Sequence, residues 1–569
     1  MSFLQIRHFR RAPALTALLV VSACGGGSGQ VALAQLSAAT PASFSGACAD
    51  LSAKLGGLAS TVITASTSIP AGSLSVAGQA VPEHCLVTGR MFERVSAVDG
   101  QAYAIGFEMR LPTQWNGRFF YQANGGSDGV VVTATGAFGG GPATHALLQK
   151  FAVLSSDAGH RVVLNPSFGI DPQARLDYGY QAVGKLTPMA KSLIQVAYGK
   201  TPDRSYIGGC SNGGRHAMVA AARYAEQYDG ILAGAPGYKL PLSAIANFAG
   251  GRLYASVATD PANLETGFTL AERKLVASSV LAKCDALDGA SDGLVQDVTA
   301  CQAVFNLERD VPSCSGPRDG TCLSPAQKTV IGKIFSGPTT SSGALIYASF
   351  PFDAGVSGSG IPMWEFSAPS GLNAGSIGMI FKVPPENPAG FSGAAFFQSA
   401  DIDTLVAQVN ATTSLYTESG MGFMAPPNPT NLSTLKNRGA KILVYHGVSD
   451  PIFSVNDSEA WYKGLQAANG GDASNFARLL RVPGMGHCSG GPATDQFDAI
   501  TPLVNWVEQG QAPGHVIATA RGAGNAGGAN ADVPATWAAG RTRPICAYPK
   551  VARYVGSGSL EEAGNFRCE

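Results

Sequence analysis

The fold is decided by the stretch Arg204-Ser205-Tyr206-Ile207-Gly208-Gly209-Cys210-Ser211-Asn212-Gly213-Gly214-Arg215-His216-Ala217-Met218-Val219-Ala220-Ala221-Ala222-Arg223-Tyr224. Arg204 to Ile207 reads as a strand, and Arg215 to Tyr224 reads as a helix of strong helix formers. Between them a tight glycine turn carries Ser211 at the centre of a G-x-S-x-G pattern. Strand, glycine turn and helix form the setting of a nucleophile elbow, in which a strained turn exposes the serine Oγ. The competing reading is an ordinary glycine-rich turn. The pattern alone decides nothing, because at 71 glycines in 569 residues about one chance match is expected. A second match stands at Gly125-Gly126-Ser127-Asp128-Gly129. There a strand-like Phe119-Phe120-Tyr121 precedes, but Val130-Val131-Val132-Thr133 and more glycine follow, and no helix is predicted.

A serine hydroxyl is a weak nucleophile, so the elbow reading demands an acid and a histidine base further along, in the order Ser, Asp, His. Lys441-Ile442-Leu443-Val444-Tyr445-His446-Gly447 reads as a buried strand with Asp450 just past its end. Leu479-Leu480-Arg481-Val482 reads as another, ending in Pro483-Gly484-Met485-Gly486-His487-Cys488. Catalytic groups collect at strand tips in open α/β sheets, which makes Ser211, Asp450 and His487 the candidate triad. Of the rival bases, His446 lies inside a strand pattern and suits a structural hydrogen-bonding role; His160 is the other. Asp457 and Glu459, rival acids, fall at the start of the next predicted helix. An oxyanion needs fixed donors. The backbone N–H of Asn212, just after the nucleophile, is one candidate, and the glycine turn after Tyr121 offers Gly126 first and Gly125 second.

Composition narrows the class. The chain is 45% hydrophobic and 14% charged, against about 25% charged in an average soluble protein, which is too apolar for disorder. Its 39 basic and 39 acidic residues cancel, and past the N-terminus no Lys/Arg run exceeds a pair, so a nucleic-acid partner is excluded. The length exceeds what one core supports, at about 100 to 200 residues per domain, and predicts two structural units or one domain with a large insertion.

Residues 1–35 read as an export signal. Arg7, Arg10 and Arg11 form its positive start, and Ala14 to Ala23 is an apolar stretch too short to span comfortably. Val21-Ser22-Ala23-Cys24, followed by Gly25-Gly26-Gly27-Ser28-Gly29, resembles a lipobox with Cys24 lipidated and a flexible tether behind it. The alternative is ordinary cleavage after Ala32-Leu33-Ala34. Both predict export, as a periplasmic, outer-membrane lipoprotein or secreted form, with membrane contact only through an N-terminal anchor. No later apolar run reaches 18 residues, so a multi-span topology is excluded. An exported chain forms disulfides. Setting Cys24 aside leaves ten of eleven cysteines. Short separations suggest Cys284 with Cys301, Cys314 with Cys322 and Cys546 with Cys568, while Cys48 with Cys85 would staple the N-terminal segment. Cys210 and Cys488 remain, and each flanks a candidate triad residue: they either form a bridge pinning the nucleophile turn to the base loop or are two buried free thiols.

With Cys210-Ser211, Asp450 and His487-Cys488 in view, the sequence resembles the tannase and feruloyl esterase family, from about Cys48 to Cys568. This family also includes a bacterial mono(2-hydroxyethyl) terephthalate hydrolase. The resemblance implies a Cys210–Cys488 disulfide, an α/β-hydrolase core built from 40–236 and 432–569, and a lid domain over 237–431. A second motif fits it. Cys284-Asp285-Ala286-Leu287-Asp288-Gly289-Ala290-Ser291-Asp292-Gly293-Leu294 crowds three carboxylates into one loop, where repulsion is relieved by a cation, and hard oxygen ligands suit calcium. By resemblance this is a structural Ca²⁺ loop, with Asp285, Asp288 and Asp292 as carboxylate ligands and Ala290 and Leu294 as carbonyl ligands. The other reading is an acidic solvated turn.

The implied substrates are small esters of aromatic acids, such as ferulates, gallates or the terephthalate monoester. Eight aromatic residues between Trp364 and Phe423 would serve an aryl acid, although most are expected in the lid's own core. The terephthalate enzyme holds its substrate's free carboxylate with a lid arginine. This chain has no arginine between Arg318 and Arg438, and Lys382 is the only lysine between Lys333 and Lys436. That departure argues against terephthalate monoester activity and favours a feruloyl or related hydroxycinnamate esterase, with a terephthalate monoester hydrolase or a tannase as the alternative. A peptidase or amidase using the same triad, and a non-catalytic binding protein on the same scaffold, are the readings from other classes. The sequence leaves the oligomeric state open.

Overall fold

The computed structural model describes residues 34–137 and 145–569, so most of the export signal and Cys24 lie outside the described residues. Nine strands form one central sheet: β1 (Thr61–Ile69), β2 (His84–Val95), β3 (Ala102–Pro112), β4 (Arg118–Gln122), β5 (Ala152–Ser156), β6 (Arg204–Cys210), β7 (Gly230–Gly234), β8 (Lys441–Gly447) and β9 (Ala477–Val482). Their spatial order is β9-β8-β7-β6-β4-β5-β3-β2-β1. Neighbours from β9 through β5 are parallel, whereas β3, β2 and β1 extend the sheet antiparallel. The parallel strands are apolar on both faces, and their period of two sorts side chains into two cores. Ile207, Ile231, Ile442 and Val444 pack on one side; Tyr206, Leu232, Leu443 and Tyr445 pack on the other.

Helices α1 (Ala182–Tyr198) and α2 (Asn212–Arg223) cover the first face. α2 starts three residues before the Arg215 expected from sequence. Gly213 and Gly214 mask the helical signal because glycine is a poor helix former, yet nothing larger fits there. A Cβ on Gly213 would meet the Ala123 carbonyl oxygen at 2.3 Å, and one on Gly214 would meet the Gly234 oxygen at the same distance.

Between β7 and β8 the chain leaves the sheet for residues 235–440, an excursion that contains the 237–431 span marked from sequence as the lid. Its main helices are α3 (Leu240–Ala255), α4 (Leu270–Cys284) and α5 (Pro325–Phe335). Capping boxes fix the starts of α4, with Thr269 and Glu272, and α5, with Ser324 and Gln327. Their apolar sides meet in a core separate from those of the sheet, with Phe248, Phe268, Phe366, Phe381 and Phe423 buried in it. From Pro362 to Phe381 the chain winds through three π-helical stretches, a rare geometry found mostly at functional sites.

After β8, α6 (Val455–Ala468) returns to the first face and α7 (Ile500–Gln509) covers the second. A small antiparallel sheet and a terminal hairpin close the chain. From this closing region Arg543 pairs with the Asp292 carboxylate, and Arg541 donates to the Asp292 carbonyl at 2.6 Å. The disulfides are Cys48–Cys85, Cys210–Cys488, Cys284–Cys301, Cys314–Cys322 and Cys546–Cys568, matching the pairings read from sequence and family resemblance. Among the described residues no helix is long and apolar enough to cross a membrane.

Candidate active site

β6 ends at Cys210 and α2 begins at Asn212, which leaves Ser211 alone in the turn at φ +66°. A non-glycine residue there is strained by about 1–3 kcal/mol and persists only where its surroundings fix it. The Ser211 N–H donates to the Gly234 carbonyl at 3.0 Å. Close packing leaves the turn no room to relax, since a Cβ on Gly209 would meet the Ala123 oxygen at 2.2 Å.

The base arrives from the loop after β9. His487 Nδ1 donates to Asp450 Oδ2 at 2.7 Å, leaving Nε2 to accept from Ser211 Oγ at 2.8 Å. Asp450, at the tip of β8, is 2% exposed, and its Oδ1 accepts the N–H groups of Ile452 and Phe453, each at 3.0 Å. Burial alone would raise its carboxyl, but His487 and His446 outweigh that and hold it well below the usual carboxylate range. Cys488 sits at φ +66°, and its disulfide to Cys210 ties the base loop to the elbow.

The rivals bond other groups, although His446 Nε2 also lies 3.4 Å from Asp450 Oδ2. His446 accepts from Ser458 Oγ and donates to the Phe453 carbonyl, both at 2.8 Å. His160 stacks on Phe168 and bonds Asn165 Oδ1. Asp457 pairs with Lys239, and Glu459 with Arg481. Ser127, on the loop after β4, borders the pocket beside Ser211, but irregular chain follows it and the histidine next to it, His160, meets its backbone.

The N–H groups of Asn212 and Gly126 have no hydrogen-bond partner among the described residues. Asn212 is the first residue of α2, where intrahelical partners are lacking, and Gly126 stands at φ +64°; Gly125 precedes it, against the elbow. Beside Ser211 a cavity of about 50 Å³ enters the 235–440 excursion, lined at the sides by Trp364, Leu372, Phe381 and Phe453 and containing Ser243, Asn373 and Ser376. Among the described residues no charged side chain lines it. Of the eight aromatics from Trp364 to Phe423, Trp364 and Phe381 reach this pocket, while Phe366, Phe397 and Phe423 pack into the core of the excursion. Trp364 also meets His487 edge-on, with ring centroids 4.8 Å apart. Sequence reasoning missed Asn373 and Ser376, which sit in a stretch without period. Lys382 turns away from the pocket, donating to the Pro384 carbonyl at 2.9 Å and pairing with Glu386 at 2.8 Å.

In the acidic loop, Asp285 accepts the N–H groups of Asp292 and Gly293, and Asp288 accepts that of Ala290. Asp288 is buried, and desolvation followed by repulsion from Asp292 and Asp285 pushes it up to about 7. The all-oxygen donor set suits a hard cation in chemistry. In geometry, among the described residues no group of three acidic, histidine or cysteine side chains converges closely enough to hold a metal, and Asp292 faces Arg543. Calcium binding would have to draw these oxygens together.

Comparison with known proteins agrees with this geometry. A family model for tannase and feruloyl esterase matches residues 85–569. A mono(2-hydroxyethyl) terephthalate hydrolase of Piscinibacter sakaiensis is 38% identical over 550 residues, covering 90% of this chain and 89% of that one. A probable feruloyl esterase B-1 of Aspergillus fumigatus is 28% identical, over 81% and 82% of the two chains. The crystal structure of feruloyl esterase B from Aspergillus oryzae superposes with a TM-score of 0.71 at 23% identity, covering 92% of this chain and 99% of that one, and so shares the fold. An elbow serine, a strand-tip acid, a looped histidine and a match over most of the length lead to one conclusion: the chain belongs to the tannase and feruloyl esterase family and is a carboxylic ester hydrolase.

Proposed function

We propose that this protein is an exported serine esterase cleaving esters of aromatic acids with uncharged ring substituents, feruloyl and related hydroxycinnamoyl or hydroxybenzoyl esters, through an acyl-serine intermediate. The observation that carries the reading is the Ser211–His487–Asp450 hydrogen-bonded chain opening on a pocket with aromatic walls and no charged side chain. His487 takes the Ser211 proton as Oγ attacks the ester carbonyl, and Asp450 holds the imidazolium. The N–H groups of Asn212 and Gly126 receive the oxyanion. Collapse expels the alcohol with the proton from His487, and a water activated by the same base releases the acid and restores Ser211.

A hydrolysis screen of the mature protein tests this. Methyl ferulate should be turned over faster than the terephthalate monoester, and Ser211→Ala should remove both activities. The 38% identity to the terephthalate monoester hydrolase favours a second reading, which wins if that monoester is cleaved well above methyl ferulate. Cleavage of a p-nitroanilide but of no ester would instead make the chain an amidase. Five disulfides support folding in an oxidising compartment after export. A structural Ca²⁺ on Asp285, Asp288 and Asp292, with the carbonyls of Ala290 and Leu294, would neutralise the acidic loop and brace the lid against the C-terminal region. Elemental analysis should then find about one calcium per chain, and chelation should lower the Tm; a metal-free protein with an unchanged Tm would remove the ion from the account.

A further inference from the structure

The second G-x-S-x-G match supplies no nucleophile, yet its aspartate reaches the elbow. We propose that Asp128 is a positioning residue for the oxyanion hole, acting through the side chain of Asn212. The inference rests on the catalytic reading above.

The two oxyanion donors belong to different segments, Gly126 to the loop after β4 and Asn212 to the first turn of α2, so something must fix the distance between them. Asp128 lies two residues after Gly126. Its side chain is 2% exposed, and its Oδ2 accepts from Asn212 Nδ2 at 2.8 Å and from His216 Nε2, one turn further along α2, at 2.9 Å. The loop is thereby joined to the helix at two points. The other end of the Asn212 amide is held as well, because Arg215 Nε donates to Oδ1 at 2.6 Å. Arg215 is fully buried and fixed in turn by the carbonyls of Gly179 at 2.7 Å and of the lid's Met424 at 3.1 Å. Tyr178 closes the ring, its hydroxyl donating to the Gly126 carbonyl at 3.4 Å and its own carbonyl accepting from Arg215.

Asn212 is thus held at both ends of its side chain while its backbone N–H is left free. Oxyanion stabilisation is steep in geometry, and a misplacement near 1 Å costs about a hundredfold in rate. The apolar walls proposed to hold the aryl acid are Trp364, Leu372, Phe381 and Phe453, and Asp128 does not line that pocket. Loss of Asp128 should therefore act on the transition state and spare ground-state binding.

The test compares Asp128→Ala, Asn212→Ala, their double variant and Asp128→Asn, alongside Ser211→Ala, using the best ester from the screen. Each alanine variant should lose about tenfold to a hundredfold in kcat with KM changed less than about threefold. The double variant should be no worse than the poorer single, since both break one clamp. A boronic acid that forms a tetrahedral adduct on Ser211 should weaken in the same ratio as kcat, and the product acid should not. Asp128→Asn keeps an acceptor oxygen and should recover most of the rate. Wild-type kcat in Asp128→Ala, multiplicative losses in the double variant, or equal weakening of the product acid would each overturn the inference. If Asp128→Ala fails to fold, Asn212→Ala and Asp128→Asn carry the same comparison. An active Ser211→Ala would instead bring down the catalytic reading itself.

Discussion

Two turns in this molecule share one sequence pattern and lie side by side at the ends of β4 and β6, yet among the described residues only one sets its serine hydroxyl against a histidine that is bonded to a carboxylate. Gly209 to Gly213 joins a strand directly to a helix. Its serine is forced to φ +66° with a histidine at 2.8 Å. Gly125 to Gly129 leads from a strand into irregular chain, and what it brings to the elbow is the Asp128 carboxylate, bonded to Asn212 and His216, and the proposed oxyanion donor at Gly126. The difference teaches that the pattern encodes close backbone approach, and that the element after the turn decides what the approach is used for.

The largest expected effect sets these serines against each other. Ser211→Ala should lower kcat by about 10⁴-fold or more, whereas Ser127→Ala should stay within about threefold; comparable losses would abolish the distinction. Next comes the bridge that only one turn carries. Replacing Cys210 and Cys488 with serine should cost about 2–5 kcal/mol in denaturant unfolding and reduce kcat as the base loop loosens. Removing Cys314–Cys322, which spans 8 residues, should cost clearly less. A smaller contrast lies in the glycines. A Cβ on Gly209 meets an oxygen at 2.2 Å, while the nearest atom to one on Gly125 is 3.5 Å away. Gly209→Ala should therefore destabilise by about 1–3 kcal/mol, and Gly125→Ala by a fraction of that.

A last contrast separates two carboxylates with opposite shifts. Burial pushes Asp128 from 3.8 up to about 7. Stability linked to its retained proton is complete below the unfolded value and is lost as pH rises to about 7. Asp450 is held down, so its contribution is complete above the unfolded value and is lost as pH falls through the depressed folded value. In thermal melts, Asp128→Asn should gain on the wild type as pH is raised from about 4 to about 7. Asp450→Asn should be penalised least in acid. Parallel pH profiles for the two variants would refute the assignment.

The elbow, the acid and the base were legible in sequence because each sits where a local period changes or stops: a strand followed by helix formers, or an apolar run cut off at Asp450 or His487. The start of α2 was misplaced because Gly213 and Gly214 are chosen for space and speak against helix. The pocket beside Ser211 was largely illegible. Trp364, Asn373, Ser376 and Phe381 lie on π-helical turns that follow neither the strand nor the α-helix period. The orientation of Lys382 depends on Glu386 and on a carbonyl, which composition does not encode. Nor could spacing reveal Asp128, whose partner Asn212 is 84 residues away on another element.

The bond between Cys210 and Cys488 spans 278 residues, and the whole excursion from β7 to β8 lies inside that ring. A protease that nicks the chain once anywhere in residues 235–440 therefore cannot separate the serine from its histidine. The two fragments part only on reduction, so the outer body can be cut in a harsh environment while both halves of the reacting centre stay tethered.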